Sequence, residues 1–138
     1  MSVIDAALSD RPGRLVMQAD DPAGARLSAT GTIEVRATTL DTLVFEEGLR
    51  PPSLLKLDVE GEEVAVLRGA RRVLEDHRPI VLLSTHSAAL RAECHRLLVD
   101  LGYVVEPEDG RTAVADTDEV IATPAGRRPL RGRKELPI

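Results

Sequence analysis

Asp58, Glu60 and His86 are the residues whose types and spacing could do chemistry. The two acids follow the short apolar run Leu54-Leu55-Lys56-Leu57, which is too brief for a helix and reads as a buried strand. The chain then turns at Gly61 into an amphipathic helix. In open α/β sheets ligands gather beyond the carboxyl ends of strands, where a turn hands over to a helix. Carboxylates at that place could orient a hydroxyl-bearing substrate and take its proton. His86 closes the next apolar run, in Ser84-Thr85-His86-Ser87, and is expected at the same sheet edge. An imidazole there would be a base near neutral pH. Carboxylate and imidazole together would also suit a divalent metal, but three residues from two turns are a sparse set, and no metal is assigned. Each residue has a purely structural alternative. Asp58 could cap the following helix, Glu60 could complement its dipole, and His86 could be a solvent-facing strand end.

The elements that must position these residues can be read in order. Val3–Leu8 is an apolar run ended by Ser9-Asp10-Arg11-Pro12-Gly13, a strand followed by a turn. Leu15–Met17 and Ile33–Thr38 are two more strand candidates, and the polar stretch Ala19–Thr32 between them reads as a loop. A short helix begins near Leu40 with Thr39 or Asp41 as its cap, and Gly48 and Pro51-Pro52 end it. Strand 54–58 leads to a helix at 62–76 with Val64, Leu67, Ala70 and Leu74 at helical spacing. Gly69 inside it costs about 1 kcal/mol relative to Ala, which close packing against a neighbour would explain. Arg78-Pro79 breaks the chain before the strand Ile80–Leu83. A second helix at 88–101 has Ser87 as its cap and Leu90, Cys94, Leu97, Leu98 and Leu101 on one face. Tyr103–Glu106 and Val120–Thr123 close the fold as an antiparallel pair. Strand, helix, strand, helix, strand predicts parallel strands with crossover helices on both faces.

Bulk properties narrow the class. The 138 residues fit one domain, placed at 1–126, followed by a disordered basic tail at 127–138. The net charge of −5 disfavours nucleic acid and anionic membranes, and one Phe, one Tyr and no Trp leave no base-stacking platform. Cys94 is the single cysteine and reads as a buried, inert thiol. No apolar run is long enough for a membrane span and no signal peptide is evident, so a cytoplasmic location is expected. His77 and His95 read as surface residues. Lys56 either reaches the pocket or snorkels to solvent.

The run KLDVEGEEVAVLRGARRVL resembles the signature of FkbM-type methyltransferases, roughly K-[IL]-D-V-E-G-x-E-x-x-V-L-x-G-A. Lys56, Asp58, Glu60, Gly61, Glu63, Leu67, Gly69 and Ala70 fit it. The resemblance extends back through Ala7–Asp10 and Thr39–Asp41, and forward through Arg78-Pro79 and Leu101-Gly102-Tyr103. It implies an α/β fold, part of a Rossmann-like class I methyltransferase sheet ending in an antiparallel pair. It implies S-adenosylmethionine as cofactor, with Asp58 bordering it, and a hydroxyl acceptor on a sugar, glycan or polyketide-like product. Asp58, Glu60 and His86 are the catalytic candidates. Family members often carry an acid two residues before the His, where this chain has Ser84.

The same resemblance implies a glycine-rich turn, of D-x-G-A-N-x-G type, between the first strand and its helix. No such turn precedes Asp58; Gly13, Gly24, Gly31 and Gly48 do not stand between an apolar strand and a helix. Matched to the family, the chain begins near the third strand. A misassigned start, a truncated remnant or a half-domain completed by another chain is therefore expected, the first two ahead of the third. An exposed sheet edge inviting self-association or a partner chain would follow.

Overall fold

The computed structural model describes residues 1–18, 26–27, 30–31 and 33–127. These form eight strands, four α-helices and a short 3-10 turn at Val114–Asp116. The fold is α/β, but its strands make two mixed four-stranded sheets where one was expected. The first contains β1 (Ala7–Leu8), β2 (Gly13–Gln18), β3 (Arg26–Leu27) and β4 (Ile33–Thr38), in the order β1-β4-β2-β3. Only Ala7 and Leu8 of the expected strand at 3–8 pair, in parallel with Ala37 and Thr38. Val3 and Ile4 stay exposed, so burial gives them no reason to extend the pairing. Arg26 and Leu27, expected in a loop, instead pair antiparallel with Gln18 and Met17. The rest of that loop, apart from residues 30–31, lies outside the described residues, as does the tail beyond Arg127.

Helix α1 (Leu40–Phe45) starts as expected at Thr39, whose hydroxyl accepts from the Thr42 N–H at 2.9 Å. The second sheet then follows as β5 (Leu54–Leu57), β6 (Ile80–Ser84), β7 (Tyr103–Pro107) and β8 (Glu119–Pro124), ordered β5-β6-β8-β7. Strands β5 and β6 are parallel, Leu54 opposite Ile80 and Leu57 opposite Leu83. The expected antiparallel pair is present, with β8 inserted between β6 and β7.

The expected helix at 62–76 is two helices, α2 (Glu63–Gly69) and α3 (Arg71–Asp76), which share Ala70 as a boundary. The cause lies far away in sequence. The Asp41 carboxylate accepts from the Arg72 and Val73 N–H groups at 3.0 and 2.9 Å, and so caps a new helix start. Gly69 is where α2 meets the first sheet: a Cβ there would sit 2.0 Å from the Ser9 carbonyl oxygen. The close packing expected from this glycine is thus present.

Helix α4 (Ala88–Asp100) begins at Ser87, whose hydroxyl accepts from the Leu90 N–H at 3.1 Å. Cys94 and Leu98 on its inner face are fully buried, as expected of that stripe. Helices α2 and α4 lie side by side, joined by the Arg68–Glu93 ion pair. The strand β5 alternates accordingly: Leu55 and Leu57 are buried while Leu54 and Lys56 are exposed. Helices on both faces were expected, but that face of β5 is uncovered among the described residues. The core beneath α2–α4 holds Leu57, Leu67, Val73, Leu74, Val81 and Leu98. Burying each such side chain contributes roughly 1.5–3 kcal/mol.

Candidate functional site

Parallel pairing in register brings the carboxyl ends of β5 and β6 to one edge, so the residues after Leu57 and Leu83 meet there. The chain leaves β5 through Asp58 and Val59 and reverses at Glu60 and Gly61, both left-handed, with φ of +51° and +107°. A glycine accepts such a φ without cost, whereas Glu60 does so against steric resistance. The reversal carries Glu60 back over the strand end. Leaving β6, the chain delivers His86 just before the cap of α4.

The three expected residues converge. His86 Nε2 lies 3.3 Å from Asp58 Oδ1 and 3.4 Å from Glu60 Oε1. One ligand atom from each of the three lies within 4.8 Å of the others. Asp58 is not a helix cap, because α2 starts at Glu62 without a side-chain hydrogen bond. Its side chain is 51% exposed, and that of His86 is 31% exposed, so the cluster is open to solvent.

A fourth residue organises the other three. Glu63 is 0% exposed, and its Oε1 lies 2.7 Å from His86 Nδ1 while accepting from the Gly61 N–H at 3.2 Å. Its Oε2 is buried and has no hydrogen-bond partner. Glu63 fits the family signature, and an acid in the first helical turn reads as a dipole partner. What the sequence did not reveal is that this acid is buried against the imidazole. With Nδ1–H donated to Glu63, a neutral His86 presents its Nε2 lone pair to Asp58 and Glu60. Burial opposes charge on His86. The hydrogen bond to Glu63 and the fields of Glu63, Glu60 and Asp58 outweigh it and raise the imidazole above its ordinary value.

Ser84 donates to Glu119 Oε2 at 2.7 Å across the β6–β8 pair. A carboxylate thus reaches that position from the neighbouring strand. Lys56 is exposed on the face of β5 opposite Leu55 and Leu57. His77 and His95 are exposed, as expected. Cys94 is buried, and burial first, then Glu63 and Glu93, push its thiol up to about 12, so it stays protonated and unreactive. Beyond the cluster, a cleft of about 530 Å³ lined by Ala88, Arg91, Ala92, His95, Val114 and Ala115 runs along α4 from its first residue, two past His86.

The chain before Asp58 shows no glycine-rich turn between strand and helix among its described residues. Strand β4 passes into α1 through Thr39 alone. Nor is any helix among the described residues long and apolar enough to cross a membrane.

Residues 8–119 match the methyltransferase FkbM domain. No curated protein and no solved structure matches the chain. The matched span covers most of the sequence and includes β5, the Glu60–Gly61 reversal, Glu63 and His86. The chain therefore belongs to the FkbM methyltransferase family.

Proposed function

We propose that the chain serves S-adenosylmethionine-dependent methylation of a hydroxyl, on a sugar, glycan or polyketide-like product, with Asp58, Glu60 and His86 as the acceptor-activating site. One observation carries the reading: three polar side chains converge at the carboxyl ends of β5 and β6, with the imidazole held by the buried Glu63. An acceptor hydroxyl at their open side would meet two carboxylates and an imidazole nitrogen. Those groups orient it and draw off its proton. The second sheet, with parallel β5 and β6 and the antiparallel β7–β8 pair, suits the carboxyl half of a class I methyltransferase sheet. The cleft along α4 is of a size that takes a sugar-like acceptor. The methyl donor's cradle would come from outside the described residues. A soluble location in the cytoplasm accords with this reading.

Titration calorimetry with S-adenosylhomocysteine tests it. One-to-one heat, weakened in Asp58→Ala, is the expected result. A folded, soluble chain that gives no heat would overturn it. That outcome would favour a second reading, a non-catalytic half-domain that pairs an edge strand with another chain or another copy of itself. The observation favouring the second reading is that β5 ends its sheet among the described residues, with Leu54 50% exposed.

A further inference from the structure

The geometry points to a divalent cation site formed by His86 Nε2, Asp58 and Glu60, with Glu63 as the outer carboxylate that orients the imidazole. Two separations match what an ion requires. Bonds of roughly 2.0–2.1 Å in tetrahedral arrangement place neighbouring ligand atoms about 3.3–3.4 Å apart, and Nε2 stands 3.3 and 3.4 Å from the two carboxylate oxygens. One ligand atom from each of the three residues lies within 4.8 Å of the other two.

The second line of support is the buried Glu63. It is a fully enclosed acid whose Oε2 has no partner. A buried carboxylate is costly unless positive charge lies nearby. A divalent cation on the Nε2 side of His86 would supply such charge through the imidazole that Glu63 holds. Metal-bound histidines commonly donate their other ring N–H to a carboxylate, and His86 Nδ1 on Glu63 has that arrangement. One nitrogen and two carboxylate oxygens suit Mn²⁺ or Zn²⁺ better than a thiolate-preferring metal. Three protein ligands leave positions open for a substrate oxygen, as in catalytic rather than structural sites. A hydroxyl bound there would be acidified by the ion. That last step rests on the acceptor reading above, whereas the binding itself does not.

The test uses the full chain stripped with a chelator, with neither methyl donor nor acceptor present. Mn²⁺ is followed by electron paramagnetic resonance and Zn²⁺ by competition. The expected result is one Mn²⁺ per chain, displaced by one equivalent of Zn²⁺. Asp58→Asn and His86→Ala should each weaken binding at least about tenfold, and Glu63→Gln by about 10–100-fold. His77→Ala, at the exposed end of α3, should leave it unchanged. Asp58→Asn alters a half-exposed side chain, so it reads the site even where Glu63→Gln impairs folding. No saturable binding by the folded chain, or binding that ignores both Asp58→Asn and His86→Ala, overturns the site. Failure to bind S-adenosylhomocysteine would bear on the methyltransferase reading alone.

Discussion

The two ends of the second sheet make an instructive pair. Each holds a non-glycine residue in the left-handed region, Glu60 at φ +51° and Arg78 at φ +53°, the only two among the described residues. At the Arg78 end the polar groups pair within the chain. Arg78 donates to the Leu101 and Gly102 carbonyls and lies 4.7 Å over the Tyr103 ring. The Tyr103 hydroxyl donates to the Pro79 carbonyl at 2.9 Å, and Arg127 reaches the Arg78 carbonyl. Burial pushes the Tyr103 phenol up to about 12, outweighing Arg78, so it remains a donor. At the Glu60 end three carboxylates surround one imidazole, and a buried oxygen of Glu63 is left without a hydrogen-bond partner. The same backbone irregularity serves stability where its polar groups are satisfied. Where one is not, as with the buried Glu63 oxygen, positive charge nearby is favoured.

That contrast can be broken from either side. The largest effect is expected from Asp58→Asn. A methyl-transfer assay should lose about 10²–10⁴-fold in rate, with little change in melting temperature because the side chain is half-exposed. Arg78→Ala should do the reverse. It removes two charged hydrogen bonds to backbone and a cation–π contact, costing roughly 2–3 kcal/mol in denaturant unfolding, while binding at the Asp58 cluster persists in the folded fraction. Comparable effects of both variants on both readouts would dissolve the distinction. Gly69→Ala tests the joint between the sheets: overpacking against the Ser9 carbonyl should cost about 1–3 kcal/mol, seen as a lower unfolding midpoint.

The smallest effects are in pH dependence. In metal-free chain the raised imidazole of His86 contributes stability that is fully present below its ordinary value of 6.5 and is lost as pH rises through its folded value. Thermal unfolding should therefore show a decline as pH rises beyond 6.5 that His86→Gln abolishes. The exposed Asp109 behaves oppositely. The Thr112 hydroxyl, then the Arg111 and Thr112 N–H groups, hold its carboxyl down to about 2. Its contribution is present above 3.8 and fades as pH falls towards 2. Carbon NMR titration of that carboxyl should show the low midpoint, and a midpoint near 3.8 would remove the turn's hydrogen bonds from the account.

Local signals in the sequence survived folding where they needed no distant partner. Thr39 and Ser87 cap their helices because the hydroxyl and its N–H target are three residues apart. The apolar runs of β5 and β6, ending in acids and His86, placed the site at one sheet edge. Long-range contacts were not legible. The break at Ala70 depends on Asp41, 31 residues before Arg72. The burial of Glu63 depends on the packing of α2 against α4. The separation of the strands into two sheets depends on β4 pairing with β1 and β2 and not with β5. Nothing in the spacing of residues encodes those choices.

What the sequence by itself determined is the kind of chemistry available: two acids and a histidine at strand ends, in a run that carries a methyltransferase family's signature. Local propensity and side-chain type suffice for that, since each strand end needs only its own few residues. Only the tertiary structure decided which side of the imidazole faces which acid. It also made Glu63 a buried partner rather than a solvated one. Those outcomes arise where α2 packs against α4 beside the chain that leaves β6, and that packing encloses the Glu63 carboxylate.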